Sequence, residues 1–239
     1  MSHRLTMFIA LWLAIFSLSC TKSQAQHSDE KGTKNKGETV DKLAAMNTPI
    51  FWAEGHPGEL DRETWKISVT GACETPRVFT WQDLAKLAQV EVEGRLTSVT
   101  RWSVNGKWKG IPLSTILQEV GMKPNCHYIR FWSVGEIYDT SIPLDIALME
   151  KSILAHSFDS QYLSEDYGGP VRAFIPYLWG YKSAKSVVKI ELMERYVPGF
   201  WEQRGYTDSA EIEAGKCRDI NDGGKVKNIP DGEVTDFIK

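Results

Sequence analysis

Apolar and polar positions along this chain fall into short runs, and the runs predict short strands interleaved with short helices. Trp65 to Thr70 (WKISVT) alternates as a half-buried strand does and stops at Gly71. Thr80 and Asp83 fit a capping arrangement for a helix whose body continues through Ala88. Val90 to Thr100 reads as a strand. In Trp102 to Ile111, Asn105-Gly106 predicts a turn, followed by Trp108-Lys109-Gly110. Pro112 to Val120 is an amphipathic helix with Leu113, Ile116, Leu117 and Val120 on one face. Tyr128 to Val134 is a strand, Gly135 to Ile142 a turn into another, and Pro143 starts a helix at a position where proline is tolerated. No internal repeat is visible. Mixed short elements without regular βαβ alternation predict an α+β domain.

The next stretch, Gly168 to Leu192, punctuates itself differently. Gly168-Gly169-Pro170 predicts a turn, the apolar run after it is interrupted only by Arg172, and Gly180 to Lys185 breaks that run before Val187-Val188-Lys189-Ile190. An arginine at the start of a buried strand, with Lys182 and Lys185 on the next loop, can converge on one anion. Backbone N–H groups near Gly180 and Ser183 can complete such a nest. A solvated basic face is the alternative reading of the same residues.

The two ends lack this patterning. His3 and Arg4 precede a charge-free run from Met7 to Leu18 and then Ser19-Cys20, the layout of a secretory signal segment over residues 1–20. Cys20 fits lipidation as in bacterial lipoproteins, and Ser23-Gln24-Ala25 fits ordinary cleavage after Ala25. Residues 21–47 are polar and lysine-rich and read as a flexible tether. The folded domain is expected over 48–206. Residues 207–239 are acidic, lack a periodic core pattern, and are expected to form an extension that wraps the surface or is partly mobile. The first segment thus predicts export, to the periplasm or cell envelope, with membrane attachment through a lipid on Cys20.

Composition narrows the function classes. With 42% hydrophobic residues and nine tryptophans in 239 residues, the chain is rich enough for a substantial core. A formal net charge of -3 argues against a nucleic-acid partner bound through an overall basic field. Beyond Cys20, Cys73, Cys126 and Cys217 allow one intrachain disulfide and show no metal-finger spacing. Asp139, Asp159, Glu165 and Asp166 supply carboxylates without a spacing that selects an acid/base pair, and Glu202 is expected to pair with a basic residue.

Four motifs stand in order: Gly168-Gly169-Pro170-x-Arg172, Pro176, Gly180-Tyr181-Lys182-Ser183-x-Lys185, and Pro198-Gly199-Phe200-Trp201-Glu202-x-x-Gly205-Tyr206. From about Phe51 to Tyr206 the chain resembles the molybdopterin-binding domain of the sulfite oxidase family. It is most similar to the bacterial haem-free branch, which includes the catalytic subunit of periplasmic methionine sulfoxide reductase. The resemblance implies a sulfite-oxidase-type molybdopterin-binding fold of mixed sheets with short helices. It also implies a molybdenum-molybdopterin cofactor and oxygen-atom transfer or sulfoxide reduction on a small-molecule or peptide substrate. Electrons would come from a separate carrier protein.

By the same resemblance, His56, Ser133, Arg172, Ser183 and Lys185 are expected to contact the cofactor. Tyr167 stands on the substrate side, five residues before Arg172, where the family has histidine or asparagine. Ser98 occupies the position of the family's metal-ligating cysteine, and a serine oxygen is a harder, weaker donor than a thiolate. Three readings of Ser98 follow: an alkoxide ligand and catalytic residue, the mark of a cofactor binder without ordinary catalysis, or a plain hydroxyl in a vestigial pocket. The functional alternatives to an oxidoreductase are a non-catalytic module that holds an anionic ligand and a structural envelope protein.

Overall fold

The computed structural model describes residues 41–238, so the signal segment, Cys20, Ala25 and most of the tether lie outside the described residues. The described chain begins with α1 (Lys42–Ala45), capped by the Asp41 carboxylate, which accepts the N–H groups of Leu43 and Ala44. Leu43 is 1% exposed. The tether expectation therefore fails for its last residues: one leucine in an otherwise polar run finds a hydrophobic site, which a periodicity argument cannot register.

β1 (Lys66–Gly71) and β2 (Arg77–Thr80) form a hairpin that runs into α2 (Trp81–Lys86). The predicted capping box is present, with Thr80 Oγ1 accepting the Asp83 N–H at 3.1 Å and the Asp83 carboxylate accepting the Thr80 N–H at 3.0 Å. β3 (Val90–Ser98), β4 (Trp102–Pro112) and α3 (Leu113–Val120) follow, then β5 (Tyr128–Ser133), β6 (Asp139–Pro143) and α4 (Leu144–Ala147). β7 (Ile153–Phe158), β8 (Gln161–Tyr162), β9 (Arg172–Phe174), β10 (Val187–Met193), β11 (Gly215–Asp219) and β12 (Lys225–Ile229) complete the order.

These strands build two mixed sheets. The five-stranded sheet runs β2-β1-β10-β5-β6, with β1 and β10 parallel. The seven-stranded sheet runs β12-β11-β4-β7-β8, with β3 paired to β4 and β9 to β7. All four predicted apolar positions of α3 are buried. One core joins α2 and α3 to the strands of the first sheet, and a second gathers around Trp108. The Trp108 ring stacks on Phe174 at 4.5 Å and its indole N–H donates to the Gly94 carbonyl at 3.1 Å. A large aromatic body is thereby buried with its one polar atom satisfied.

Two sequence expectations are corrected here. Asn105-Gly106 makes no turn; both residues lie inside β4, opposite Arg95 and Gly94 of β3. Gly106 is there because a Cβ would meet the Phe158 ring at 2.2 Å, a demand of packing rather than of chain reversal. The C-terminal residues are part of the fold: β11 joins β4 in parallel through Arg218 and Asp219, and Cys217, Ile229 and Val234 are each buried to within 1%. Strands of five residues with few inward positions leave no periodic trace.

Candidate functional site

A cavity of about 420 Å³ lies where the end of β3, the end of β5, the start of β9 and the Gly180–Lys185 loop meet. That is within the range of small-molecule and cofactor pockets. Part of its remaining wall is the N-terminal segment Thr48 to Glu54, which is tied down from across the fold. The Tyr167 hydroxyl donates to the Thr48 carbonyl at 2.9 Å, and Lys185 Nζ to the Phe51 carbonyl at 2.9 Å.

Arg172 enters as the first residue of β9, opposite Ala155 of β7, and is 3% exposed. Its guanidinium donates only to carbonyls, those of Tyr167 at 2.8 Å, Ser183 at 3.0 Å and Ala173 at 3.3 Å. Lys185 Nζ adds the Asp166 carbonyl at 2.5 Å and lies 4.7 Å from the Trp52 ring centroid. Among the described residues neither cation has a carboxylate in ion-pairing range. Burial pushes Arg172 down to about 10. Burial first, and then the charge of Arg172, push Lys185 down to about 7. Two desolvated cations facing one cavity call for an anion to replace the lost solvation.

Local sequence explains the approach of these groups. Gly168 adopts φ +95°, and a Cβ there would meet Lys185 Cγ at 2.8 Å, so glycine lets the turn seat the lysine stem. The turn at Gly180–Lys182 packs against the end of β3, where a Cβ on Gly180 would fall 3.3 Å from the Thr97 carbonyl and 3.7 Å from the Ser98 Cα. Ser98 is the last residue of β3 and lines the cavity. Its Oγ pairs with Thr100 Oγ1 at 2.9 Å and accepts the Thr100 N–H at 3.2 Å.

Ser133, at the end of β5, is 1% exposed, and its Oγ has no hydrogen-bond partner among the described residues. Trp52 Nε1 and Thr48 Oγ1 are orphaned in the same way, and all three residues line the cavity. Buried unpaired polar atoms cost stability unless something meets them. Together with Arg172 and Lys185 they fit a bound group that carries a phosphate and several acceptors. Among the described residues there is no cluster of three His, Cys, Asp or Glu side chains placed to hold a metal ion. The free thiols of Cys73, Cys126 and Cys217 are buried and none lines the cavity. A metal at this place would have to arrive with donors of its own.

The structure brings Ser98, Ser133, Tyr167, Arg172, Ser183 and Lys185 to one cavity. Four details differ from expectation. His56 stays outside the lining: its Nδ1 accepts the Gly58 N–H at 3.0 Å, its Nε2 lies 3.2 Å from Asp166 Oδ1, and its ring packs on Trp52. The Tyr167 hydroxyl, assigned to the substrate side, is committed to Thr48, and burial raises its pKa. Lys182 does not join Lys185; it is fully buried on Glu202, the basic partner expected for that carboxylate. The Ser183 N–H is spent on the Gly180 carbonyl inside the turn, which leaves it unavailable to a nest. The isolated carboxylates also have structural duties: Asp139 pairs with Arg130 at 2.6 Å, Asp159 accepts the Lys107 N–H at 2.8 Å and Glu165 that of Leu60 at 3.1 Å.

Sequence reasoning missed Thr48, Trp52 and Glu54, because the segment they sit on has no motif. The Phe51-Trp52 pair was its single signal.

A two-sheet α+β domain with a buried, anion-seeking, aromatic-walled cavity belongs to the class of proteins that hold an organic cofactor. The chain belongs to the family of oxidoreductase molybdopterin binding domains, whose model matches residues 53–201. Relatives include the uncharacterized oxidoreductase YuiH of Bacillus subtilis, 28% identical over 77% of this chain and 90% of that protein. A putative protein-methionine-sulfoxide reductase subunit, YedZ1, of Azospira oryzae is 31% identical over 65% of this chain and 59% of its own length. The protein-methionine-sulfoxide reductase catalytic subunit MsrP of Burkholderia mallei is 31% identical over 60% of this chain and 48% of its own. The chain thus spans about half the length of the reductase relatives. The crystal structure of the sulfane dehydrogenase SoxCD from Paracoccus pantotrophus shares the fold, with a TM-score of 0.56 at 19% identity over 75% of this chain and 46% of that one.

Proposed function

We propose that this protein is an exported, lipid-anchored oxidoreductase that uses molybdopterin to reduce a sulfoxide, with electrons from a separate carrier protein. The observation that carries the reading is the convergence of buried Arg172 and half-buried Lys185, which among the described residues have no carboxylate partner, on a cavity that also holds the orphaned Ser133 hydroxyl. Arg172 and Lys185 would hold the phosphate, and Ser133, Trp52 and Thr48 would donate to the acceptors of the pterin. When bound, this group supplies a redox-active metal on its own sulfur donors, able to exchange an oxygen atom with substrate. The aromatic wall, including Trp102, Tyr138 and Trp201, displaces water and offers thioether-like groups an apolar surface. Sulfoxide as the oxidant is supported by the similarity to the protein-methionine-sulfoxide reductase relatives. Export and lipidation are supported by the first twenty residues, which no helix of the described part duplicates as a membrane span.

A second reading, a cofactor binder without oxygen-atom chemistry, is favoured by one observation: Ser98 offers a hydroxyl where a soft thiolate would hold the metal better. Molybdenum analysis and fluorescent detection of oxidised pterin, on protein from a host that makes the cofactor, separate the two. Stoichiometric pterin with molybdenum supports the enzyme, and pterin without metal supports the binder. Arg172→Ala and Lys185→Met should each lose pterin while keeping a cooperative melt. Pterin missing from folded wild-type protein overturns both readings.

A further inference from the structure

Reducing a sulfoxide consumes protons as well as electrons: R2S=O + 2e⁻ + 2H⁺ gives R2S and H2O. A proton source must therefore reach the cavity, and most of the wall cannot supply one. The Tyr167 hydroxyl is committed to Thr48, and the Tyr138 hydroxyl donates to the Tyr181 carbonyl at 2.5 Å. No histidine or cysteine among the described residues lines the cavity, and Arg172 and Lys185 are held by carbonyls. Glu54 is the single carboxyl group among the described residues of the lining. Among the described residues no other side chain pairs with or donates to its carboxylate; the backbone N–H groups of Glu54 itself and Ala53 bear on it, as does the charge of Lys185. It sits half-buried, next along the chain from the Trp52-Ala53 wall, where solvent can reload it.

We infer that Glu54 is the proton donor of the site, delivering a carboxyl proton to the oxide oxygen as the S–O bond breaks. This rests on the proposed sulfoxide chemistry. When bound, the cofactor would supply the two electrons that reduce the sulfur, and a carrier or a reduced viologen dye would replenish them. The second proton comes from solvent, and solvent then reprotonates Glu54. Burial raises the Glu54 carboxyl above its ordinary value of 4.5, against the opposing charge of Lys185. Arg172 and the tyrosines Tyr138, Tyr167, Tyr181 and Tyr206 also line the cavity, with His56 and Asp166 just outside it. Because the acid form is the active one, kcat should be high below the Glu54 pKa and fall as pH rises through it.

The test uses Glu54→Gln and Glu54→Asp in the loaded protein, with N-acetylmethionine sulfoxide as substrate and reduced benzyl viologen as donor. An infrared titration of the apoprotein reads the carboxyl directly. Glu54→Gln should keep wild-type pterin content and KM, lose about 100-fold or more in kcat, and lose the alkaline fall. Glu54→Asp should recover part of kcat. A protonated-carboxyl band should persist above pH 4.5 in wild type and vanish in Glu54→Gln. A smaller loss in an active enzyme, loss of pterin together with activity, or a Glu54 band that titrates at the ordinary value overturns this inference alone. A wild-type enzyme that binds pterin but reduces no sulfoxide overturns the proposed function, and the inference with it.

Discussion

Lys182 and Glu202 are both fully buried at their side chains and pair directly. Lys182 Nζ also donates to the Ser141 carbonyl at 2.9 Å and lies 3.3 Å from the Tyr196 hydroxyl, and Glu202 Oε1 accepts from Thr140 Oγ1 at 2.9 Å. Burial lowers the lysine pKa, and Glu202 opposes that shift. Replacing Lys182 by Met keeps the stem and removes the charge, which strands a carboxylate whose other oxygen, Oε2, already lacks a partner. Breaking such a pair from one side costs about 3–5 kcal/mol, whereas an apolar pair of similar volume is close to neutral. For a domain of this size that is a loss of about 6–20 °C in Tm. Urea and thermal unfolding of Lys182→Met, Glu202→Leu and the double variant would measure it. The double variant should be more stable than either single one, and it should keep its pterin, since Lys182 lies outside the cavity lining. A Lys182→Met cost under about 1 kcal/mol, or a double variant as unstable as the two costs summed, would refute the reasoning.

Two further outcomes follow from the geometry. His156, 8% exposed and bonded to Gln89 and Ser157, is pushed from 6.5 down to about 4 by burial first and then by Lys109 and Arg62. The unfolded chain takes up that proton first, so stability should fall as pH drops from 6.5 toward 4, by at most about 1.4 kcal/mol per unit, and His156→Gln should flatten that slope in a pH series of melts. Ser98→Cys should raise the molybdenum-to-pterin ratio without changing pterin content, because a thiolate is the softer donor at the same strand end. An unchanged ratio would show that Ser98 does not face the metal.

The sequence by itself determined the parts of this protein that rest on local chemistry. Alternation placed β1, capping residues placed α2, an apolar stripe placed α3, and the turn signals from Gly168 to Lys185 marked the stretch whose Arg172, Ser183 and Lys185 line one cavity. Only the tertiary structure decided which polar atoms of those residues stay free. Lys182 and Lys185 are equally basic in sequence, yet Glu202, twenty residues on, neutralises the first, while two carbonyls leave the charge of the second to the cavity. Tyr167 reads as a site residue until Thr48 takes its hydroxyl, and Glu54 carries no signal until the fold lays its segment along the cavity wall. A motif records which groups are close along the chain, but desolvation and pairing depend on partners distant in sequence, and these determine which of those groups remain available for chemistry.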